Sequence, residues 1–142
     1  MPRIPCASII IENSEGEVLL VLRDNQSTIT FPNHWTLVGG NLEEGETPEM
    51  AAHRELAEET GLNASLTFWK RYDRQHTLFI VDQYIYLAKV DSSPESLVLG
   101  EGQALHFFKP DETRYLKIGY GFKALLTEYF STTTGDLHVH HA

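Results

Sequence analysis

Cysteine is nearly absent from this 142-residue chain, which has one, Cys6. A single thiol excludes an intrachain disulfide and a zinc site built on several cysteines. Long apolar runs are missing too. Nowhere do 18 apolar residues follow one another, and the opening MPRIPC lacks the hydrophobic stretch of a secretory leader. These absences predict a soluble protein of a reducing cytoplasm with no membrane partner. Positive charge is scarce, with 11 Lys and Arg against 20 Asp and Glu, a net of −9, and no long basic run. Such a chain is poorly suited to gripping a duplex through its phosphates, so no polymeric nucleic acid is expected as a partner.

What is present suffices for one folded domain. Apolar residues make up 42% and aromatics 11%, enough for a core and against disorder. The expectation is a single domain over residues 1–142, with a core of about 5–130 and a flexible tail at 131–142 that includes HVHH. Cys6 is followed by Ala7, Ile9, Ile10 and Ile11, so it reads as a small residue opening a buried strand rather than as a nucleophile. The runs CASIII (6–11) and VLLVLR (18–23) flank the turn signal ENSEG and predict neighbouring strands. A polar loop, DNQSTITFPN, precedes a short strand in HWTLVGG, and further strands are predicted within 64–75, 77–90 and 104–109. Thr47-Pro48 starts a helix that Gly61 stops, and GYGFKALLTEYF (119–130) predicts a second one.

The acidity is local. Gly39 to Leu62 holds seven glutamates and one arginine, Arg54. At the helical period, Glu55, Glu58 and Glu59 share one arc of roughly 100°, with Met50, His53, Leu56, Ala57 and Thr60 opposite. A helix that buries the latter on a sheet and presents three carboxylates outward is therefore expected. Glu55 and Glu59 are like charges at i,i+4, which costs a few tenths of a kcal/mol when exposed. Glu58 and Glu59 also sit at the negative end of the helix dipole. A rule broken without local compensation points to a ligand, and carboxylate oxygens suit Mg²⁺ or Mn²⁺.

The spacing is more specific than the charge. Gly40, five residues, Glu46, seven residues, Arg54-Glu55-Leu56, one residue, Glu58-Glu59, one residue, Gly61-Leu62 resembles the Nudix box at every defined position. FPNHW before it and GEGQALHFFKPDE after it extend the resemblance to roughly 5–130. The resemblance implies an α/β fold, a Nudix-type α/β/α sandwich with a mixed β-sheet. It also implies hydrolysis of a nucleoside diphosphate linked to another moiety, with Mg²⁺, or Mn²⁺ in its place, as cofactor. Glu55, Glu58 and Glu59 are then metal ligands, with the Gly40 carbonyl completing the shell. Arg54 joins the catalytic set through an ion pair with Glu46 that fixes the loop, and Gly61 closes the box. Glu101, in GEGQ, is expected as a further ligand or as the general base, against a plain turn reading; Glu55 is the other candidate base. Arg23 is a candidate for a substrate phosphate, against a surface charge. Glu43, Glu44 and Glu49 read as exposed charges. The aromatics and bases of FWKRYDR (68–74) read as an ordinary half-buried strand before a nucleotide surface. Val38 stands where many relatives have proline.

The partner implied is a small nucleotide-diphosphate substrate, and monomer and homodimer both remain open. Two rivals share the fold. One is a non-catalytic nucleotide-sensing module, which an intact box disfavours. The other is a prenyl diphosphate isomerase, whose chemistry uses a cysteine that Cys6 stands too early to supply.

Overall fold

A computed structural model describes residues 1–91 and 97–141, with side chains as far as Thr132. Most of the polar link at 91–96 and the tail histidine side chains thus lie outside the described residues. Among the described residues ten elements follow in order: β1 (Arg3–Glu12), β2 (Val18–Leu22), β3 (Trp35–Thr36), β4 (Val38–Asn41), α1 (Pro48–Thr60), β5 (Thr67–Gln75), β6 (Ile80–Lys89), β7 (Ala104–Phe108), α2 (Pro110–Thr113) and α3 (Phe122–His141). They form an α/β/α sandwich around a mixed sheet.

β1 organises that sheet. Along its whole length it pairs in parallel with β6, from Arg3↔Ile80 to Glu12↔Lys89, and β5 closes that side antiparallel to β6. Its other edge changes partner: β4 holds Cys6 to Ile9, and β2 meets it at Glu12↔Val18. β2 in turn pairs with β3 and β7. A strand covered on both faces needs apolar residues at consecutive positions, and Ile9, Ile10 and Ile11 are all fully buried. Alternation then divides two cores. Ala7, Ile9 and Ile11 pack with Ala51, Ala52 and Leu56 of α1. Ile10, Val18, Leu20 and Ile85 pack with Phe122, Leu125 and Leu126 of α3.

The ends of α1 follow the sequence signals. Thr47 accepts a hydrogen bond from the Met50 amide, Pro48 opens the helix, and Gly61, at φ 74°, closes it by donating to the Ala57 carbonyl. Its faces do not follow the wheel. Ala51, Ala52, Glu55, Leu56, Glu59 and Thr60 are buried, whereas Met50, His53 and Ala57 are exposed. The i,i+4 row Ala51–Glu55–Glu59 turns inward and Glu58 outward, so three carboxylates do not share an exposed face. Small Ala and Thr side chains carry little hydrophobic signal, and the inward row answers to a polar site rather than to a core.

Two other elements differ from expectation. PDE, for which no element is predicted, becomes the one-turn helix α2, with Pro110 at its first position and the Glu112 carboxylate accepting from the Lys109 amide. The backbone of α3 is helical through to His141, where the sequence predicts a flexible tail after Phe130. No proline follows Phe130, and Gly135 alone does not stop a helix. No helix among the described residues is long and apolar enough to cross a membrane.

Leu126 is 1% exposed at the centre of the α3 face. Leu126→Ala is expected to cost about 2–5 kcal/mol in urea unfolding. A loss under about 1 kcal/mol would show that α3 is not docked on the sheet.

Candidate active site

α1 meets the sheet beside β4, and there the carboxylates converge. One oxygen each from Glu55, Glu59 and Glu101 lies within 4.8 Å of the others. Glu55 and Glu59 are 8% and 4% exposed, while Glu101 is open to solvent. The Gly39 amide donates to Glu59 Oε2 at 2.8 Å. A Cβ on Gly40 would stand 2.8 Å from Glu55 Oε1, so glycine there is what lets the carboxylate lie against the β4 backbone. The arrangement leaves the Gly40 carbonyl on the strand that flanks the cluster.

Glu101 arrives from the far side of the chain. Its loop is wedged rather than loose: a Cβ on Gly100 would meet the Glu58 carbonyl oxygen at 1.7 Å, and one on Gly102, at φ 83°, would meet the Leu22 carbonyl at 2.6 Å. The Gly100 amide donates to the Glu59 carbonyl, and the Gln103 amide to that of Leu22. The two glycines thus seat the loop between the end of α1 and the end of β2, which aims Glu101 at the other two acids. The plain turn reading leaves this close approach unaccounted for.

Arg54 braces the acidic loop from outside. It donates to Glu46 through Nε at 2.7 Å and Nη2 at 3.0 Å, and through Nη1 to Glu55 at 2.9 Å and Glu58 at 3.1 Å. Nη2 also reaches the Asn41 carbonyl at 3.2 Å. The expected Glu46–Arg54 pair is therefore present, and its hydrogen bonds hold the Glu46 carboxyl below the usual carboxylate range. Glu58 is not among the converging acids; its side chain is 58% exposed and turned to Arg54. Burial, then a shared hydrogen bond and like charge with Glu55, push Glu59 up to about 9, against the pull of the Gly39 amide.

Beyond the carboxylates a cavity of about 330 Å³ runs along the α3 side of the sheet. Glu59 and Glu101 line one part of it, Arg23 and Arg74 another. Both guanidiniums lie over the Tyr120 ring, at 5.4 and 5.0 Å from its centroid. Tyr120 has a left-handed backbone, φ 62°, unfavourable for a bulky residue, and its hydroxyl bonds Thr30 Oγ1. Arg23 also donates to the Thr30 carbonyl at 2.8 Å. Arg74 Nε is the one buried side-chain nitrogen or oxygen without a hydrogen-bond partner among the described residues. An unmet buried donor costs about 1–3 kcal/mol.

Sequence reasoning misses two of these residues. FWKRYDR reads as an ordinary strand, and β5 is one, but Arg74 near its end faces the cavity. Tyr120 reads only as part of a helix start. Alternation along β5 places Tyr72 and Arg74 on one face, a signal that points to Arg74 once the α3 side of the sheet is known. Cys6 also lines the cavity, but it is buried, donates to Asn41 Oδ1 at 3.0 Å, and burial pushes its thiol up, away from a nucleophile's range.

A sandwich whose sheet edge carries a glycine-led acidic loop and a carboxylate-bearing helix defines the class of protein. The chain belongs to the Nudix family: the family model for the NUDIX domain matches residues 2–129. An RNA pyrophosphohydrolase of Yersinia enterocolitica is 43% identical over 75 residues, which cover 48% of this chain and 39% of that protein. The chain thus spans about two fifths of the length of that relative. The MutT protein from Methanosarcina mazei Go1 superposes with a TM-score of 0.80 at 20% identity, over 93% of this chain and 96% of that one. The NUDIX domain of Shewanella oneidensis NrtR, complexed with ADP ribose, gives 0.80 at 15% identity, over 94% and 90%. At those identities the two structures speak for the fold.

The raised Glu59 value fixes the sign of a pH effect. Between the ordinary 4.5 and about 9 the folded protein keeps a proton that the unfolded chain has lost. This contribution to stability is complete below 4.5 and disappears as pH rises towards 9. In chelator, the Tm should therefore fall across this window, and Glu59→Gln, which stays neutral, should flatten the fall. Parallel profiles for parent and variant would remove Glu59 as its source.

Proposed function

We propose that this protein is a divalent-cation-dependent pyrophosphohydrolase of small nucleotides, breaking a nucleoside diphosphate linkage by attack of water at phosphorus. The observation that carries the reading is the convergence of Glu55, Glu59 and Glu101 at one part of a cavity that also holds two guanidiniums. The donor set fits the cofactor: all ligand atoms are hard carboxylate oxygens, two of the acids are buried, and of these Glu55 has Arg54 as its cation while Glu59 has none among the described residues. Mg²⁺, or Mn²⁺ in its place, would be held by Glu55, Glu59 and Glu101, with the Gly40 carbonyl beside them. Glu58 is carried as a further ligand on the family pattern alone. When bound, the cation would offset the repulsion between diphosphate and carboxylates and lower the pKa of a coordinated water.

The chain's own groups do the rest. Arg54 holds Glu55 in place through Nη1 while its bonds to Glu46 keep the loop from shifting. Glu101 is exposed and free of protein partners among the described residues, so it is available to accept a proton from water; Glu55, buried and held by Arg54, is the alternative base. Arg23, tied to Thr30 and Tyr120, supplies charge to a phosphate of the substrate. The chain's acidity supports a small nucleotide over a polymer, although RNA pyrophosphohydrolases among the relatives make a 5′-triphosphate RNA the substrate to set against it. A non-catalytic sensing module stays the rival, and an intact carboxylate cluster speaks against it. The proposed setting is cytoplasmic, a reading supported by the scarcity of cysteine.

The test is phosphate release from nucleoside triphosphates, nucleotide sugars and a 5′-triphosphate RNA oligonucleotide, with and without Mg²⁺ or Mn²⁺. Metal-dependent turnover of a small nucleotide is expected; binding without turnover on the whole panel would favour the sensing module, and a preference for the RNA would overturn the substrate class.

Glu59→Gln should remove most turnover and most of the Tm increase that Mg²⁺ gives the parent. Glu58→Gln should lose less of both, because its carboxylate lies outside the converging group. Equal losses would mean that Glu58 leaves Arg54 to join the site. Glu101→Gln should cut kcat by roughly 10²–10⁴ if it is the base, and a near-parental value would return that role to Glu55.

A further inference from the structure

The antiparallel ladder of β2 and β7 ends at Leu22↔Ala104, and beyond it the two chains part. On one side is the loop 97–103, which carries Glu101; on the other is the loop 24–33, with Arg23 at its neck. Gln103 bridges the gap between them. Its backbone amide donates to the Leu22 carbonyl at 2.8 Å. Its side chain goes one residue further: Nε2 donates to the Arg23 carbonyl at 2.7 Å and to Asn33 Oδ1 at 3.0 Å. A backbone carbonyl can only accept, which sets the nitrogen of the Gln103 amide toward Arg23. Both N–H bonds of that group are then used, one on each end of the loop 24–33.

These bonds are not what closes the loop. The Arg23 amide donates to the His34 carbonyl at 2.9 Å and the Asn33 amide to the Asp24 carbonyl at 3.0 Å, so backbone alone shuts the neck. The tip is fastened separately, through Thr30 and Phe31 against Tyr120. The Glu101 loop is likewise seated without the Gln103 side chain, wedged at Gly100 and Gly102. What the side-chain amide adds is a link between the two loops. Gln103 is exposed and lies outside the lining of the cavity, to which Arg23 and Glu101 both contribute. Its effect on a ligand therefore passes through the residues it holds.

We propose that Gln103 is a positioning residue, which sets the Arg23 guanidinium at a fixed reach from the carboxylates of Glu55, Glu59 and Glu101. The proposal rests on reading Arg23 as the contact to a substrate phosphate. Carboxylates and guanidinium face one diphosphate from two sides only if their spacing matches it. A misplacement of about 1 Å is enough to cost on the order of 10²-fold. Of the two loops, the wedged one that carries Glu101 has less freedom, so loss of the amide link displaces Arg23. The loss then falls on binding rather than on the chemical step.

Steady-state kinetics with Mg²⁺, on the nucleotide that the parent hydrolyses fastest, test it through Gln103→Met, which keeps the length of the stem and removes both donors. KM should rise about 10- to 100-fold with kcat near the parental value, and Arg23→Met should show the same split. The double variant should be no worse than Arg23→Met alone. Gln103→Glu, which sets a carboxylate oxygen against the Arg23 carbonyl, should resemble Gln103→Met. A loss of kcat at unchanged KM, as from poorer folding, overturns the proposal. So does a parental KM in Gln103→Met, or KM increases that multiply in the double variant. Equilibrium binding of methylenediphosphonate with Mg²⁺, a diphosphate analogue that the attack of water does not cleave, repeats the comparison without turnover. Weaker binding by both single variants of a protein that hydrolyses nothing would sink the proposed activity and leave the role of Gln103 standing. A parent that neither hydrolyses a nucleotide nor binds the analogue overturns both.

Discussion

One guanidinium holds the acidic segment in shape. Arg54 directs five hydrogen bonds to Glu46, Glu55, Glu58 and the Asn41 carbonyl, which joins β4, the loop behind it and two turns of α1. A planar fork with five donors can do this, whereas a lysine has three donors at one point. The stretch from Gly39 to Leu62 has seven glutamates and no other Lys or Arg, so no neighbour in sequence can neutralise it. Glu46 sits at the far end of the fork, which is why a residue outside the converging cluster still governs where Glu55 points. The packing of α1 then follows, since an i,i+4 row that begins at Ala51 turns inward only if its acids have somewhere to go.

That arrangement costs stability in the absence of a ligand. Glu55 and Glu59 are both nearly shielded from water, and burial, then the hydrogen bond and charge of Glu55, raise the Glu59 carboxyl. On the proposed metal site, this burial is a loss in stability that would be a gain in binding strength: carboxylates already stripped of water would give up little hydration to a cation. A solvated acidic face, the ordinary role of a glutamate-rich helix, would have the opposite balance.

The caps of α1, the strand runs and the acidic box are legible in the sequence because each depends on residues close together in the chain. Thr47, Pro48 and Gly61 act within one turn, and the isoleucines of β1 report their own burial. The inward face of α1 is not legible, because the wheel weighs Met50 and His53 above Ala51 and Ala52, while the sheet admits only the small side chains. Glu101 is visible as a glutamate between glycines, but the reason for those glycines lies in Leu22 and Glu58, distant in sequence and touching only after folding. Arg74 is the sharpest case. Its strand is plain from the residue pattern, yet which side of that strand faces a cavity depends on α3 and Tyr120, far along the chain.

The arginines divide by the partners the fold gives them. Arg3 and Arg71 share Asp73 and Asp82 on the surface, Arg114 reaches Asp111, and Arg54 serves the acidic loop. In a chain of net charge −9, acids are abundant, so a shortage of them does not explain a guanidinium left without one. Asp24 lines the same cavity as Arg23 and Arg74 and still forms no ion pair with either. Holding both cations on the Tyr120 ring is the alternative the fold adopts: a cation–π contact satisfies part of their charge. The cleft that holds these two guanidiniums is also lined by Asp24, Glu59 and Glu101, so it sets cations at one part against carboxylates at another. On the proposed reading, a substrate phosphate would meet the guanidiniums directly and the carboxylates only through a bound cation.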